Sequence, residues 1–224
     1  MFDNIVYLNM DNAIDRREWV EGQFKEHNVT ATRFSAIHDD FDKYCHDWRE
    51  LKISDPQVGC LLSHLEIIRT YGDRDLLVFE DDINLEPMHN WKFTFQELVD
   101  FLPNEIDILQ LVKFPQLKPT SAIKWHEGMF STAAYFIRKE YVKRLVDIAF
   151  HDGKWQVKKL KSFYVQPLAD SVLYSNGEAY TVTILSLGQF KSQIVYVGAD
   201  DLGPGGMISE LLRPSYITLR TVFP

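Results

Sequence analysis

The sequence predicts an α/β fold, and three stretches carry that reading. Asn4 to Leu8 (Asn-Ile-Val-Tyr-Leu) reads as a strand that passes through the polar turn Asn9-Met10-Asp11-Asn12 into a helix beginning near Asp15. Strand, turn and helix in that order open an α/β unit, with the turn at the ligand-facing edge of the sheet. From Asp55 to Gly72, the residues Val58, Leu61, Leu62, Leu65 and Ile68 recur at the i, i+3, i+4, i+7 and i+10 positions of one apolar helix face. Leu76-Leu77-Val78-Phe79 is a short apolar run of the kind buried on both faces of a sheet, and Glu80-Asp81-Asp82 follow where that strand would end.

The 224 residues fit one large domain or two small ones and can bury a substantial core. A hydrophobic content of 46% with 13% aromatics belongs to an ordered globular protein. The net charge of −8 argues against nucleic-acid binding and repels anionic ligands, so a phosphate site needs a metal or a few placed basic residues. Cys45 and Cys60 are too few for a disulfide framework and have no metal-ligand spacing. The N-terminus lacks the basic and apolar regions of a signal peptide, and no apolar run reaches transmembrane length, which leads to the expectation of a soluble, cytoplasmic protein. Without repeats or a linker, a single domain over 1–224 is the economical reading.

The other elements follow in order. The first helix turns Trp19, Val20 and Phe24 to a core and stops at Asn28, a residue suited to the left-handed conformation. Arg16 and Arg17 lie in its first turn, where a solvated face is the default. Val29 to Ile37 is a second strand. His38 to Trp48 contains many metal-ligand types but no zinc spacing, and reads as an acidic surface loop. Asp55 caps the next helix, with Pro56 at its first position and Gly72 at its close. Cys60 and His64 are four apart on another face, and Gly59 permits close packing. Phe93 to Leu102 is helical, Ile106 to Val112 and Thr132 to Ile137 are strands, and the helix from Lys139 buries Val142, Leu145, Val146 and Ala149. Lys154 to Lys161 reads as a solvated basic face. Pro167 to Leu173 begins a short helix, Ala179 to Leu187 is β-prone, and Gly198 to Gly206 is a loop with two acids.

Three adjacent carboxylates repel one another unless a cation sits among them, and oxygen ligands at the end of a strand suit Mg²⁺ or Mn²⁺ carrying phosphate. Glu80 and Asp82 are therefore the candidate metal ligands. Acids that cap a helix or solvate a turn are the competing explanation.

The order of motifs resembles glycosyltransferase family 25, which includes lipooligosaccharide and collagen galactosyltransferases. The resemblance rests on Ile5-Val6-Tyr7-Leu8-Asn9-Met10-Asp11 with Arg16-Arg17, on Phe34-Ser35-Ala36, on Gly59-Cys60-Leu61-Leu62-Ser63-His64 and on Glu80-Asp81-Asp82. Thr132-Ala133-Ala134-Tyr135, Ala169-Asp170 and the pair Gln189 and Ser192 are similar to weaker, later elements of the family. The resemblance implies a GT-A fold with a mixed central sheet flanked by helices, a nucleotide-binding N-terminal half and an acceptor-binding C-terminal half. It implies inverting transfer of a hexose, galactose or glucose, from a UDP-sugar to the hydroxyl of a glycan or hydroxylated protein. Mn²⁺ or Mg²⁺ would sit at Asp82 with Glu80. Glu80 or Asp81 would hold the ribose or a metal-bound water, and Asn9, Asp11 and Arg17 would line the uridine end. Ser63 and His64 would position phosphate or support the acidic loop. Asp170 is the expected general base, although it reads equally well as a helix cap. No histidine follows His151 to complete a metal shell, which leaves Gln189, Asp200, Asp201 or water. The alternatives are a nucleotide-binding scaffold without turnover and, more distantly, a phosphoryl-transfer domain.

Overall fold

The computed structural model describes residues 2–91, 93–112, 123–126, 129–182 and 184–187. The first half contains β1 (Ile5–Asn9), α1 (Ile14–Glu26), β2 (Thr32–Ser35), α2 (Asp55–Tyr71), β3 (Leu76–Glu80) and β4 (Ile83–Asn84). After these come α3 (Phe95–Phe101), β5 (Ile108–Gln110), β6 (Ile123–Lys124), β7 (Ala134–Ile137) and α4 (Lys139–Ala149). The short hairpin of β8 (Phe150–His151) and β9 (Lys154–Trp155), then α5 (Ala169–Tyr174), β10 (Ala179–Thr181) and β11 (Ser186–Leu187) complete the described strands and α-helices, beside four short 3-10 turns.

Seven strands form one sheet in the order β2-β1-β3-β7-β5-β10-β6. β1 runs parallel to β2 and β3, and β5 runs parallel to β10, whereas β7 lies antiparallel between β3 and β5. The expected α/β class with a mixed central sheet and flanking helices is borne out. A consequence for function follows from the strand directions. The carboxyl ends of β1, β3, β5 and β10 and the start of β7 share one edge, which gathers Asn9, Glu80, Gln110, Thr181 and Thr132.

Both faces of the sheet are covered, and this explains the continuous apolar runs in its strands. Val6, Leu8, Leu76 and Val78 pack under α2, α4 and α5, whereas Ile5, Tyr7, Leu77 and Phe79 pack under α1 and α3. Leu61, Leu62, Leu65 and Ile68 of α2 are all fully buried. Each such side chain contributes about 1.5–3 kcal/mol relative to exposure. Gly59 is buried because α2 crosses the chain at Ile37, where a Cβ would be driven into the Ile37 carbonyl oxygen.

Several boundaries differ from the sequence reading for physical reasons. Ser54, rather than Asp55, caps α2, in a capping box with Gln57. Gly72 ends that helix at φ −88°, so its stop is not left-handed, whereas Asn28 does adopt φ 54°. β2 is shorter than Val29 to Ile37 and half-exposed, as befits a strand at the sheet edge with β1 as its neighbour. Within the lysine-rich stretch Trp155 is fully buried, its indole N–H donating to Glu66 at 2.8 Å, so only part of that face is solvated. In the acidic loop, Asp42 pairs with Arg49 and the buried Cys45 thiol donates to Asp47. Among the described residues no helix is long and apolar enough to cross a membrane. Gln189, Ser192, Asp200, Asp201 and the loop Gly198 to Gly206 lie outside the described residues.

Candidate active site

Glu80 is the last residue of β3, with its backbone N–H bonded to the Ala133 carbonyl at 2.8 Å. Its carboxylate is held from two sides. The Thr132 hydroxyl donates to Oε1 at 2.6 Å, and His64 Nε2 lies 3.1 Å from the same atom. His64 is fully buried, and its Nδ1 is 3.0 Å from the Tyr135 hydroxyl. Burial alone would push the Glu80 carboxyl up, but the hydrogen bond and charge of His64, with Thr132 and Arg16, outweigh it and hold the group below its ordinary range. Glu80 is thus kept ionised.

Asp81 turns the other way. Asn9 Nδ2 donates to it at 2.7 Å and Arg16 Nη1 lies 3.2 Å from its second oxygen. Asn9 is itself fixed by Arg33, whose Nε donates to Asn9 Oδ1 at 3.0 Å while Nη2 reaches Asp11 at 2.6 Å. With both oxygens engaged and 4% exposure, Asp81 ties the loop to the β1 turn. Burial pushes its carboxyl up despite Asn9 and Arg16.

Asp82 is less well served, with a backbone N–H and the more distant charge of Arg16 only partly offsetting its burial. Its Oδ1 is, among the described residues, the one buried carboxylate oxygen without a hydrogen-bond partner. Burial first, then the charges of Glu80 and Asp81, push its carboxyl up to about 7. A buried acceptor left bare beside two other carboxylates is the local signature of a place that a cation would fill. The donor set fits a hard divalent ion: Glu80 and Asp82 would supply oxygens, and such ions usually take one or two carboxylates, with water and phosphate completing the shell. Among the described residues the three acids do not bring three ligand atoms within 4.8 Å of one another, because Asp81 is turned to Asn9 and Arg16. The tight groups are Cys60, His64 and Glu80 on the buried side of the site, and Glu26, His27 and His89 at the opposite end of α1 from Arg16. Cys60 is a thiol that burial pushes up strongly.

Asp170 is the second residue of α5. One of its oxygens accepts from the Ser171 N–H at 2.7 Å and the other from the Ser131 N–H at 3.3 Å. Leu168 occupies the cap position, so Asp170 is not the N-cap, though its Ser171 bond is local in the same manner. Burial pushes its carboxyl up in spite of those two bonds, and Glu80 adds to the shift. Raised proton affinity is one property that a general base requires.

Of the residues named from sequence, the fold gathers Asn9, Glu80, Asp81, Asp82 and Asp170 at one edge, and Asp11 joins through Arg33. Arg17 is half-buried, and it is its neighbour Arg16 that reaches the acids. Ser63 is the departure. Its hydroxyl donates to the Gly59 carbonyl at 2.7 Å and accepts from the Ile37 N–H at 2.8 Å, and it has no exposed surface, so it braces α2 and offers nothing to a ligand. Thr132, Arg16, Arg33 and Tyr135 were not singled out for the roles they play. For Thr132 and Tyr135 the signal existed in the segment Thr132 to Tyr135, but its antiparallel pairing with β3 was not legible.

The family model described as glycosyltransferase family 25, LPS biosynthesis protein, matches residues 2–157. No curated protein sequence matches the chain. Among solved structures, the crystal structure of a glycosyltransferase involved in the glycosylation of the major capsid of PBCV-1 aligns at 13% identity and a TM-score of 0.36. That alignment covers 66% of this chain and 66% of the other.

Proposed function

Because the chain belongs to glycosyltransferase family 25, we propose that it transfers a hexose, galactose or glucose, from a UDP-sugar to an acceptor hydroxyl with inversion, assisted by Mn²⁺ or Mg²⁺. The observation that carries the reading is the bare, buried Oδ1 of Asp82 beside the ionised Glu80 at the sheet edge where ligands of α/β folds bind. A divalent ion held there by Asp82 and Glu80 would offset the charge that grows on the diphosphate as the glycosidic bond breaks. Thr132 and His64 fix Glu80 in one rotamer and keep it charged. Asn9 and Arg16 pull Asp81 out of the way and set the loop, and Asp11 and Arg17 would line the uridine end.

Asp170 accepts the proton of the acceptor hydroxyl as its oxygen bonds to the anomeric carbon, and the electron pair of the broken bond leaves with UDP. The N-terminal half thus binds nucleotide and the C-terminal half acceptor, within a single domain. The acceptor is a glycan or a hydroxylated protein. The test is titration calorimetry with UDP, with and without Mn²⁺, followed by turnover of UDP-galactose and UDP-glucose. Metal-dependent binding with consumption of one of the sugars supports the reading, and no UDP binding in either condition refutes it. Asp170→Asn should lower transfer at least about 100-fold, in line with the typical contribution of a general base, while UDP affinity stays within about twofold.

A further inference from the structure

Beside Asp170 the chain presents aromatic rings to solvent. Phe130 and Phe163 are 37% and 51% exposed, and Val165 next to them is fully exposed. Phe130 stacks on Tyr164 with ring centroids 5.7 Å apart and planes only 16° from parallel. Phe163 meets both Tyr164 and Trp125 edge-on.

The rings are built into the site through the backbone. Phe130 precedes Ser131, whose N–H bonds to Asp170 at 3.3 Å. The Tyr164 N–H bonds to the hydroxyl of Ser171, the residue after Asp170, at 3.1 Å. The Phe130 turn is also held against strain. Ser131 has φ 122°, a region that side-chain-bearing residues avoid. Gln110 Nε2 reaches the carbonyls of Met129, Phe130 and Ser131 at 3.2, 3.2 and 2.9 Å, and the Tyr174 hydroxyl donates to the Ser131 carbonyl at 3.0 Å. Strained backbone that its surroundings over-determine gathers at ligand sites. Here it projects an apolar ring into water beside a carboxylate.

We infer that Phe130 and Tyr164, with Phe163 and Trp125, form a stacking platform for the pyranose ring of a saccharide acceptor, whose hydroxyl is then delivered to Asp170. This rests on the transferase reading and names its acceptor class as a neutral glycan end. A ring face carries negative charge density, and the axial C–H groups of a pyranose present positive charge to it while the equatorial hydroxyls stay in water. Asp170, Glu80 and a net charge of −8 disfavour an anionic sugar.

The test is saturation-transfer NMR on the full chain with methyl pyranosides of glucose, galactose, mannose and N-acetylglucosamine, each at millimolar concentration. At least one should receive saturation on its ring C–H protons, reduced fivefold or more in Phe130→Ala and in Tyr164→Leu, and restored in Phe130→Trp. UDP affinity should change less than twofold in these variants. Tyr164→Leu keeps apolar bulk and removes the ring face, so retained contact in that variant overturns stacking. The proposal is also overturned if no pyranoside is saturated above cyclohexanol, or if an acyl-chain probe competes better than any sugar. UDP binding without pyranoside contact would refute the platform alone. Pyranoside contact without UDP binding would refute the transferase reading and leave the platform standing.

Discussion

Replacing Asp82 by asparagine keeps its shape and removes its charge, and the effect on stability should reverse with pH and metal. In the folded chain the Asp82 carboxyl is pushed from 3.8 up to about 7, chiefly by burial. The folded state therefore holds this proton more tightly than the unfolded chain does. Ionising Asp82 costs nothing below about pH 4, costs progressively more through the window up to about 7, and costs its full amount above it. A gap of about three pH units corresponds to a ceiling of about 4 kcal/mol, and roughly 2–4 kcal/mol is expected once the mutual repulsion with Glu80 is left with Glu80. For a chain of this length each kcal/mol moves Tm by about 2–4 °C. With a chelator present, Asp82→Asn should melt roughly 5–10 °C above the wild type at pH 8 and within about 1 °C of it at pH 4. Saturating Mn²⁺ should then raise the wild type by about 2.7 kcal/mol at a hundredfold excess over Kd, and leave the variant nearly unmoved. Differential scanning calorimetry at the two pH values, with and without Mn²⁺, reads all four states. Equal Tm for the two proteins at pH 8 under chelation would refute the argument that burial, reinforced by Glu80 and Asp81, penalises the Asp82 charge, and an undiminished Mn²⁺ shift in the variant would remove Asp82 from the metal site.

The two adjacent arginines should separate cleanly. Arg16→Ala leaves Asp81 without its cation and should cost about 1–2 kcal/mol in urea unfolding, whereas Arg17→Ala should stay within about 0.5 kcal/mol of wild type. Thr132→Val deletes the donor 2.6 Å from Glu80, for an expected loss of about 1–3 kcal/mol by thermal melting and a fall in transfer. Thr132→Ser should recover both, and if it does not, the threonine methyl rather than its hydroxyl matters. Gly59→Ala forces α2 away from the Ile37 carbonyl and should destabilise by about 1–3 kcal/mol. An alanine variant as stable as wild type would show that the helix can shift there freely.

The parts of the fold that are local in the chain were legible, and those that depend on distant pairing were not. The apolar stripe of α2, the double-faced burial of β3 and the left-handed Asn28 each follow from a few neighbouring residues. The cap of α2 was misplaced by one position because Ser54 and Asp55 are both good caps, and the reciprocal Gln57 bond decides between them. The acid cluster shows the same division at the site. In sequence, Glu80, Asp81 and Asp82 are three similar charges in a row, and nothing beside them ranks them. The partners that do so arrive from far away: Asn9 is 72 positions from Asp81, and Thr132 is 52 from Glu80. β7 inserted antiparallel beside β3 brings Thr132, the end of β1 brings Asn9, and the first turn of α1 brings Arg16. Once those neighbours are in place, Asp81 is spent on joining the loop to β1 and Glu80 is held ionised by the buried face of α2. The repulsion among three carboxylates is then concentrated on Asp82, which the fold leaves bare. Two of the acids are well supported by the protein, whereas Arg16 and a backbone N–H offset only part of the cost of charging the third, and a proton or a cation brought to the sheet edge would relieve the rest. The choice between those two should shift with pH across the range where the carboxyl of Asp82 titrates.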